Sequence, residues 1–577
     1  MTYKIHISLI IFFVFILSAE GQERTKDTID TDVVNVVKPY TPTISDAFKI
    51  KETPKLNDST VLKKKDIKYN IFSIPVASTF TPAKGKAATV NKEKPPVLYD
   101  NYASLGVGTY TTILGEVYLN HALNRNETVG GYFSHHSSGG GIDGVVLDDD
   151  FLKSKLNANY SSKLRDLAWK VNGGFEYQQF NWYGLPEEFV TITSEEEFQD
   201  VGHSFYSAHV GGSVDFYDMI FNSGSVLYRR FGDNQGSGEN RFVLKTDLEV
   251  PISGEAISAE VKLDYIGGGF DQNYYTDDAI DYGNFNVSLA PSYQMIEDDL
   301  TLNLGVNLTY LNDTQEGGNK FFIYPNITAS YRLLDEFVIA FGGIEGGLIQ
   351  NSYYDFANTN PFVSPTLTVS PTDQTYNASL GIKGKLSDNL SYNISGRYLT
   401  DNNKALFQAN SHLGDADEPY EHGNSFRIVY DDVNTFSVGG ELNIDVNRNF
   451  KLGIKAEYFT YSTDLEEEAW NLPDTKASLF LDYQISRKWF AGANLFYIGE
   501  RKDLLYQEAI LVAPLQPMTV TLDSYFDANA HLGYKINDRL SVYGKANNIG
   551  NQLYEKWLNY PVQGIQILAG ATYQFDF

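Results

Sequence analysis

The 577-residue sequence contains no cysteine. This absence excludes disulfides, thiolate metal sites, cysteine nucleophiles and a lipidated N-terminal cysteine. Beyond the extreme N-terminus there is also no apolar run of roughly 18 residues, the length that a membrane-spanning helix needs. Transmembrane helices are therefore excluded from most of the chain.

Enzyme motifs are missing as well. No G-x-S-x-G elbow, H-E-x-x-H helix, Walker loop or dinucleotide-binding glycine motif occurs in a suitable context. The net charge of −28 argues against a nucleic-acid partner. We expect no enzymatic activity and no cofactor. A phospholipase or protease built on Ser or Thr and one of the nine His residues is the minor alternative.

Three acidic clusters offer the oxygen ligands that Ca²⁺ prefers. They are Asp148–Asp150, Glu195–Glu197, and the group Asp277, Asp278 and Asp281. None has the spacing of an EF-hand loop, and acidic surface loops are usually solvated. The sequence therefore predicts no metal site.

Residues 1–21 have the composition of a secretory signal peptide. Lys4 precedes the apolar run Leu9–Leu17, and Ala19 and Gly21 supply the small residues of a cleavage site. The run is too short to span a bilayer as a helix. We expect export, with a mature chain that begins at Gln22.

Residues 22–98 differ from the rest of the chain. They are rich in proline, lack periodic apolar residues, and hold 14 Lys and Arg against 9 Asp and Glu. The remaining residues 99–577 carry a formal net charge of −33. We predict an extended or partly disordered cationic tail. It is either drawn to the mouth of the lumen of the barrel that the anionic residues 99–577 are predicted to form, or solvated in the periplasm or bound to a partner protein there.

Residues 99–577 show the two-residue alternation of strands. The clearest example has Ile257, Ala259, Val261, Leu263 and Tyr265 on one face and Ser258, Glu260, Lys262 and Asp264 on the other. Such segments run for about 10–15 residues, against roughly 5–6 in ordinary strands. Aromatic residues often end the apolar faces, as Trp489 and Tyr497 do. This pattern is typical of a lipid-facing band around a polar lumen and is less typical of a soluble sandwich.

Two classes of connection separate these segments. Short turns are predicted at Arg165–Asp166, Ser253–Glu255, Glu297–Asp299, Ser387–Asn389, Val446–Asn449, Ser486–Lys488 and Asn537–Arg539. Longer polar loops are predicted at Ser137–Asp150, Tyr183–Gly202, Gln272–Tyr282, Asn351–Asp373, Asp401–Ser425, Asp464–Asp474 and Glu500–Thr521. Bacterial barrels have short periplasmic turns and long surface loops, so both ends of the barrel chain should lie in the periplasm.

The sequence therefore predicts an all-β, transmembrane antiparallel β-barrel in residues 99–577. Its alternating segments give about 22 strands, within a range of 16–22, and the number should be even. The least certain strands are Tyr102–Tyr110, Leu114–Leu123 and the stretch 425–434. We expect such a chain in the outer membrane of a bacterium, in contact with its lipid.

The last strand carries an aromatic face. Tyr573, Phe575 and the final residue Phe577 continue an alternation that begins at Ile565. This ending resembles the signal that the outer-membrane assembly machinery reads. The three aromatic residues are therefore predicted to direct assembly.

A family resemblance rests on residues 540–577. Asn547–Asn548–Ile549–Gly550–Asn551 is followed by Tyr554 and by Gln563–Gly564. This order resembles the end of TonB-dependent receptor barrels, where an N-N-[LI]-[FG]-N-x-x-Y segment leads into a loop and the closing strand. The resemblance implies about 22 strands and the import of solutes with inner-membrane energy. The family also has a folded plug domain before the barrel, and residues 22–98 do not resemble one.

Within the tail, one stretch is prone to form a strand. Asp32, Val33, Val34, Val36 and Val37 loosely resemble a TonB box, which pairs with the energy-coupling protein by strand addition.

The sequence leaves two functions open. The receptor-like C-terminus favours solute binding or uptake, while the unrecognised plug favours a non-transporting scaffold or accessory barrel in an assembly or secretion complex.

Overall fold

The computed structural model describes residues 98–577 except 187–199, 218–219, 253–254, 316, 414–415 and 507–516. No helix among these residues is long and apolar enough to cross a membrane. One helix, α1, spans Tyr353–Thr359. The strands are β1 (Asn101–Gly108), β2 (Ile113–Ala122), β3 (Glu127–Ser138), β4 (Phe151–Lys163), β5 (Leu167–Asn181), β6 (Gly202–Phe216), β7 (Phe221–Asp233), β8 (Gly238–Ile252), β9 (Glu255–Phe270), β10 (Ile280–Glu297), β11 (Leu300–Asp313), β12 (Gly318–Leu334), β13 (Val338–Ile349), β14 (Thr372–Ser387), β15 (Leu390–Ala409), β16 (Phe426–Asn447), β17 (Phe450–Thr463), β18 (Thr475–Tyr483), β19 (Trp489–Ile498), β20 (Arg501–Tyr506), β21 (Pro517–Leu522), β22 (Tyr525–Lys535), β23 (Leu540–Asn547), β24 (Glu555–Trp557), β25 (Tyr560–Pro561) and β26 (Gln566–Phe575).

Twenty-two of these strands form one antiparallel sheet. The sheet closes into a barrel because β26 pairs with β23 on one side and with β1 on the other. Closure leaves no strand edge unpaired, as a sheet in lipid requires. β20–β21 and β24–β25 form separate hairpins beside the barrel sheet. The predicted all-β class and the number of about 22 strands are confirmed.

Alternate residues of each strand face opposite sides of the wall. In β9, Asp264 is buried and forms an ion pair with Lys262 at 2.9 Å, whereas Tyr265 is exposed on the outer surface. In β26, Ile567 and Tyr573 are exposed while Leu568 is buried. The predicted alternation between Ile257 and Tyr265 is therefore confirmed, with charged residues inside and apolar residues outside.

Links between strands differ at the two ends of the barrel. The end with the predicted short turns, which we call the inner end, also holds Asn101 and Phe575, where the first and last barrel strands meet. The other end, the outer end, carries the predicted long loops. Three of its links are nevertheless short, between β1 and β2, β7 and β8, and β11 and β12. The sorting of loops by length is therefore strong but not strict.

The outer parts of β15 and β16 correct two predictions. Residues 401–409 belong to β15 rather than to a loop, and residues 426–434 are the start of β16 rather than a separate strand. The two strands have 20 and 22 residues, about twice the roughly 9–11 that a membrane-spanning strand needs. Their pairing shifts between Asp401 and Lys404, where Asn403 has a φ of 55°. This irregularity interrupts the two-residue alternation, so one long hairpin was interpreted as a loop and a separate strand.

The orientation of the barrel is open to cysteine labelling, because the chain has no cysteine of its own. Leu465→Cys, at an outer-end side chain that is 87% exposed, should react with a membrane-impermeant thiol reagent on intact cells. Asn537→Cys, in an exposed inner-end turn, should react only after the outer membrane is permeabilised. Labelling in the reverse pattern would refute the orientation. Ser411 and Asn471 are unsuitable sites because each is only 8% exposed.

Candidate functional site

Loops at the outer end fold over the mouth of the barrel and build an apolar cluster that we call the roof. Trp182, Tyr353, Phe426 and Tyr560 are almost completely buried in it. Each aromatic ring removes on the order of 150–250 Å² from water, at about 25 cal/mol per Å², so the roof is a stable structure. Its buried members are Phe180, Trp182, Val201, Phe205, Phe231, Ile266, Phe270, Tyr274, Tyr282, Tyr353, Phe356, Ala357, Phe362, Val363, Leu367, Val369, Ala409, Tyr420, Phe426, Ile428, Leu522, Trp557, Leu558 and Tyr560.

The loop 350–371 contributes helix α1 to the roof. Ser352 caps the helix, because its hydroxyl oxygen accepts a hydrogen bond from the backbone N–H of Asp355 at 3.1 Å. The Ser352 hydroxyl also donates to the Asp355 carboxylate at 2.5 Å. The helix buries Tyr353, Phe356 and Ala357. The order Ser-x-x-Asp is a helix-start signal that the sequence contains and that our sequence analysis overlooked.

Buried acids on the barrel wall hold α1 in place. The backbone N–H of Tyr353 donates a hydrogen bond to Glu239 at 2.6 Å, and the hydroxyl of the Tyr353 side chain donates to Asp233 at 2.6 Å. Arg241 lies between Asp264 at 2.9 Å and Asp355 at 3.4 Å. A buried carboxylate is costly unless it accepts such bonds, so α1 and the strands β7–β9 depend on each other.

A second network fixes the β20–β21 hairpin to the outer part of β15. The fully buried carboxylate of Asp503 accepts hydrogen bonds from the backbone N–H of Ala409 at 2.9 Å and from the side-chain amide of Asn471 at 2.7 Å. Burial raises the pKa of Asp503 to about 6, although these donors favour the charged form. Asn471 adopts a φ of 58° and also donates to the backbone oxygen of Phe407 at 2.9 Å. The outer hairpin is therefore anchored by specific polar contacts as well as by apolar packing.

A cavity of about 320 Å³ lies inside the barrel beside the roof. Its walls come from the outer parts of β4, β5, β22 and β23, from the C-terminal end of α1 and from the β24–β25 hairpin. Four aromatic rings form one wall. The ring centroid of Phe362 lies 6.2 Å from that of Phe180, 5.5 Å from that of Tyr183 and 3.8 Å from that of Tyr560. The remaining lining is polar, with two lysines and several Asn, Gln and Asp side chains.

The three carboxylates at the cavity are already engaged. Asp149 accepts hydrogen bonds from the backbone N–H groups of Gly141 and Ile142, at 2.7 and 2.6 Å. Asp150 accepts from the amide of Asn181 at 2.9 Å. The third, in Asp527, accepts from the hydroxyl of Tyr554 at 2.9 Å. Uncharged donors therefore hold these acids in position, and one oxygen of Asp527 has no hydrogen-bond partner among the described residues.

The aromatic residues predicted to direct assembly lie away from the cavity. Tyr573, Phe575 and Phe577 form a row of ring contacts at the inner end, with centroid distances of 5.8 and 5.5 Å. The stretch Asp32–Val37 lies outside the described residues, as does Glu195–Glu197. Within the described part of the chain, no group of His, Asp and Glu side chains has the arrangement of a metal site.

The cavity residues were not predicted from the sequence. In the sequence, Asp149 and Asp150 stand out only as members of an acidic loop, and nothing distinguishes Lys153, Lys556 or the residues of the aromatic wall. The cavity residues are separated by up to several hundred positions along the chain, so no short sequence pattern predicts that they lie together. Barrel closure, which joins β26 to β1, brings them together.

Three solved structures with a similar fold are described as receptors. The receptor FpvA of Pseudomonas aeruginosa PAO1, bound to pyoverdine, matches with a TM-score of 0.62 at 12% identity, over 84% of this chain and 80% of that chain. The ferric-catecholate import receptor Fiu of E. coli K12 matches with a TM-score of 0.56 at 12% identity, over 84% and 82%. A ferric enterobactin receptor mutant (PfeA) from Pseudomonas aeruginosa matches with a TM-score of 0.58 at 13% identity, over 82% and 80%.

At these identities the structural matches show the fold alone. No curated protein matches the sequence. A family model described as "TonB dependent receptor-like, beta-barrel" matches residues 95–549, which is most of the chain. The chain therefore belongs to the TonB-dependent receptor-like β-barrel family, and it is a protein of the bacterial outer membrane.

Proposed function

We propose that this barrel binds a solute in the cavity beside its roof and imports it across the outer membrane with energy supplied through TonB. The observation that carries the proposal is a cavity inside the barrel, beside a mouth over which the loops fold. A passive pore needs a clear path, whereas a receptor needs a closed site that opens on demand. A scaffold would need no such cavity, and family membership also favours the receptor.

The solved relatives suggest the first solutes to test. Fiu is described as a ferric-catecholate import receptor, and FpvA was solved with pyoverdine. Iron chelates are therefore the first class that we propose for this chain. Uptake of a chelate, and not binding alone, is the activity to measure.

Energy coupling is proposed to pass through the tail. Residues 22–98 do not have the composition of a folded plug, so we propose that the roof provides closure on the outer side. The stretch Asp32–Val37 is the proposed TonB box, since its valines favour an extended strand that adds to a partner sheet. Outer-membrane lipid and the assembly machinery complete the proposed partners.

A proline substitution tests this coupling. Val34→Pro with Val36→Pro should abolish chelate uptake, because proline cannot donate to a strand ladder. The matched control is Val34→Ile with Val36→Ile, which keeps both N–H donors and should retain uptake. Uptake is measured with radiolabelled iron in iron-starved cells, alongside the amount of heat-modifiable barrel. Uptake that survives both the proline variant and deletion of TonB would refute the proposed coupling.

A further inference from the structure

The turns at the inner end of the barrel carry different charges on neighbouring parts of the rim. Turns 297–299, 335–337 and 387–389 hold six acidic side chains and no basic one: Glu297, Asp298, Asp299, Asp335, Glu336 and Asp388. The next two turns around the rim, 446–449 and 484–488, hold three basic side chains and no acidic one: Arg448, Arg487 and Lys488. We call the first three turns the acidic arc and the other two the basic arc.

Acidic side chains on the strands of the basic arc face the lumen and not the lipid. Asp445 on β16 and Asp482 on β18 both lie opposite Lys451 of β17 in the strand pairing. Tyr483, the neighbour of Asp482, is exposed on the outer surface, so the alternation of the strand turns Asp482 inward. The same register places Asp445 and Lys451 on the inward face. These two acids therefore face a lysine of their own inside the barrel.

The charge of the basic arc is not cancelled at the rim. Neither Arg448 nor Lys488 forms an ion pair with an acidic side chain among the described residues. The adjoining turn between β22 and β23 adds Asp538 and Arg539, whose charges offset each other. The basic arc thus keeps three positive charges beside an acidic arc with six negative ones.

Aromatic contacts direct Lys488 toward the lipid-facing side. Its ammonium nitrogen lies 3.5 Å from the hydroxyl oxygen of Tyr534 and 5.6 Å from the centre of that ring. Tyr534 pairs across the strands with Trp489, whose ring centroid is 4.8 Å away and whose side chain is exposed on the outer surface. An ammonium group is attracted to the face of such a ring. The Lys488 charge therefore lies next to the lipid and not inside the lumen.

A row of aromatic rings marks the level of the lipid headgroups along the basic arc. Besides Trp489 and Tyr534, the outward-facing rings of Phe450 and Tyr483 lie 5.4 Å apart at the ends of β17 and β18. Aromatic girdles of this kind sit at the membrane–water interface, and the basic turns lie directly beyond it. The acidic arc has lipid-facing rings as well, for example the exposed ring of Tyr331. The two arcs therefore share an aromatic girdle and differ in charge.

We propose that the basic arc is a docking surface for anionic phospholipids of the leaflet that meets the inner end of the barrel. Arg448, Arg487 and Lys488 bind the phosphate groups, since guanidinium and ammonium groups form strong charged hydrogen bonds with phosphate oxygens. The acyl chains pack against Tyr483 and Trp489. The acidic arc repels the same lipids, so the barrel has one side that is enriched in anionic lipid. This inference goes beyond the proposed function, because it concerns the lipid shell and holds for any solute.

The absence of cysteine from the chain makes this arrangement measurable. Cysteine is introduced at Asn449 in the basic arc or at Asn389 in the acidic arc, two exposed asparagines at matching places in their turns, and is labelled with bimane. The full-length barrel is reconstituted in phosphatidylcholine vesicles with a small fraction of doxyl-labelled phosphatidylglycerol or doxyl-labelled phosphatidylcholine. Quenching of bimane by the doxyl group then reports which lipid lies beside each arc.

At Asn449→Cys, the labelled phosphatidylglycerol should quench at least about threefold more strongly than the labelled phosphatidylcholine, because each basic side chain near a membrane surface attracts anionic lipid by about 1 kcal/mol, or roughly fivefold. At Asn389→Cys, phosphatidylglycerol should quench no more strongly than phosphatidylcholine. Salt at about 1 M should remove the preference, because the charges are exposed and the screening length falls to about 3 Å.

Substitutions in the Asn449→Cys chain identify the groups responsible. Arg448→Gln with Arg487→Gln and Lys488→Gln should make the two labelled lipids equal quenchers. The charge-conserving set Arg448→Lys, Arg487→Lys and Lys488→Arg should retain the preference. Lys385→Gln is the matched control, because it removes an inner-end lysine that lies 3.5 Å from Glu336, and it should leave the preference unchanged. Heat-modifiability on gels shows that each variant is folded.

Three results would overturn the proposal: equal quenching by the two lipids at Asn449→Cys, the same preference for phosphatidylglycerol at Asn389→Cys, or a preference that survives the three glutamine substitutions. The comparison of the two arcs and the salt dependence need no charge-removing variant. They therefore decide the question even if the glutamine variant fails to fold.

Discussion

Excision of the loop 350–371 from a chain that also lacks residues 23–95 is expected to turn this barrel into an open channel. The barrel has 22 strands, and roughly 16–18 strands already hold an aqueous pore open. The loop supplies the roof residues Tyr353, Phe356 and Phe362, together with the contacts of α1 to the wall. Without them, the roof between the loops of β5 and β16 loses three of its buried aromatic rings.

The excision is compatible with folding of the wall. Ile349 and Thr372 are cross-strand partners, so a two-residue Asn-Gly turn can replace the loop and close the β13–β14 hairpin. Single-channel conductance in planar bilayers should rise from near zero to that of an open pore. Cells that produce the variant should become sensitive to large antibiotics that do not normally cross the outer membrane.

Deletion of residues 23–95 alone is the control. Three occupants could close so wide a lumen, namely the cationic tail, inward-folded loops or a partner protein. The structure shows inward-folded loops at the outer end, so the tail deletion alone should leave conductance low. High conductance after the tail deletion alone would instead identify the tail as the closing element and refute the role given to the loop.

The wall of the barrel was predictable because its signals are local. A period of two residues decides which side chain faces lipid, and Ile257–Tyr265 shows this within nine residues. Short turns such as Ser387–Asn389 interrupt that period wherever a strand ends. The prediction was wrong where the strands leave the membrane, because above the lipid both faces of β15 and β16 contact protein and the alternation of polar and apolar residues loses its cause.

The roof was not predictable because its partners are distant in sequence. The capping pattern at Ser352 predicts a helix, but it does not predict that the helix lies inside the lumen. That position depends on Asp233, which is 120 residues away from its partner Tyr353, and on Glu239, which is 114 residues away from the same tyrosine. The sequence shows these acids as ordinary polar positions of two strands. Only the closed barrel places them around one helix.

Loss of the final aromatic residue is expected to abolish accumulation of the barrel in the membrane. Phe577 is 77% exposed, and its ring contacts are with Phe575 at 5.5 Å and His121 at 5.9 Å. Such ring pairs are each worth roughly 0.5–1.5 kcal/mol, well below the roughly 5–15 kcal/mol that stabilises a folded protein. A barrel with Phe577→Asp is therefore stable enough to fold, and its absence from cells would reflect loss of a recognition signal.

Two measurements separate recognition from stability. In cells, Phe577→Asp should leave only background amounts of heat-modifiable barrel in the outer membrane, whereas Phe577→Tyr should accumulate normally. Refolded from urea into detergent, both variants should become heat-modifiable. Deletion of residues 573–577 should fail in both settings, because it also removes the pairs of Tyr573 with Ala103 and Leu540 that close the barrel. Normal accumulation of Phe577→Asp in cells would show that the terminal aromatic residue is not an assembly signal.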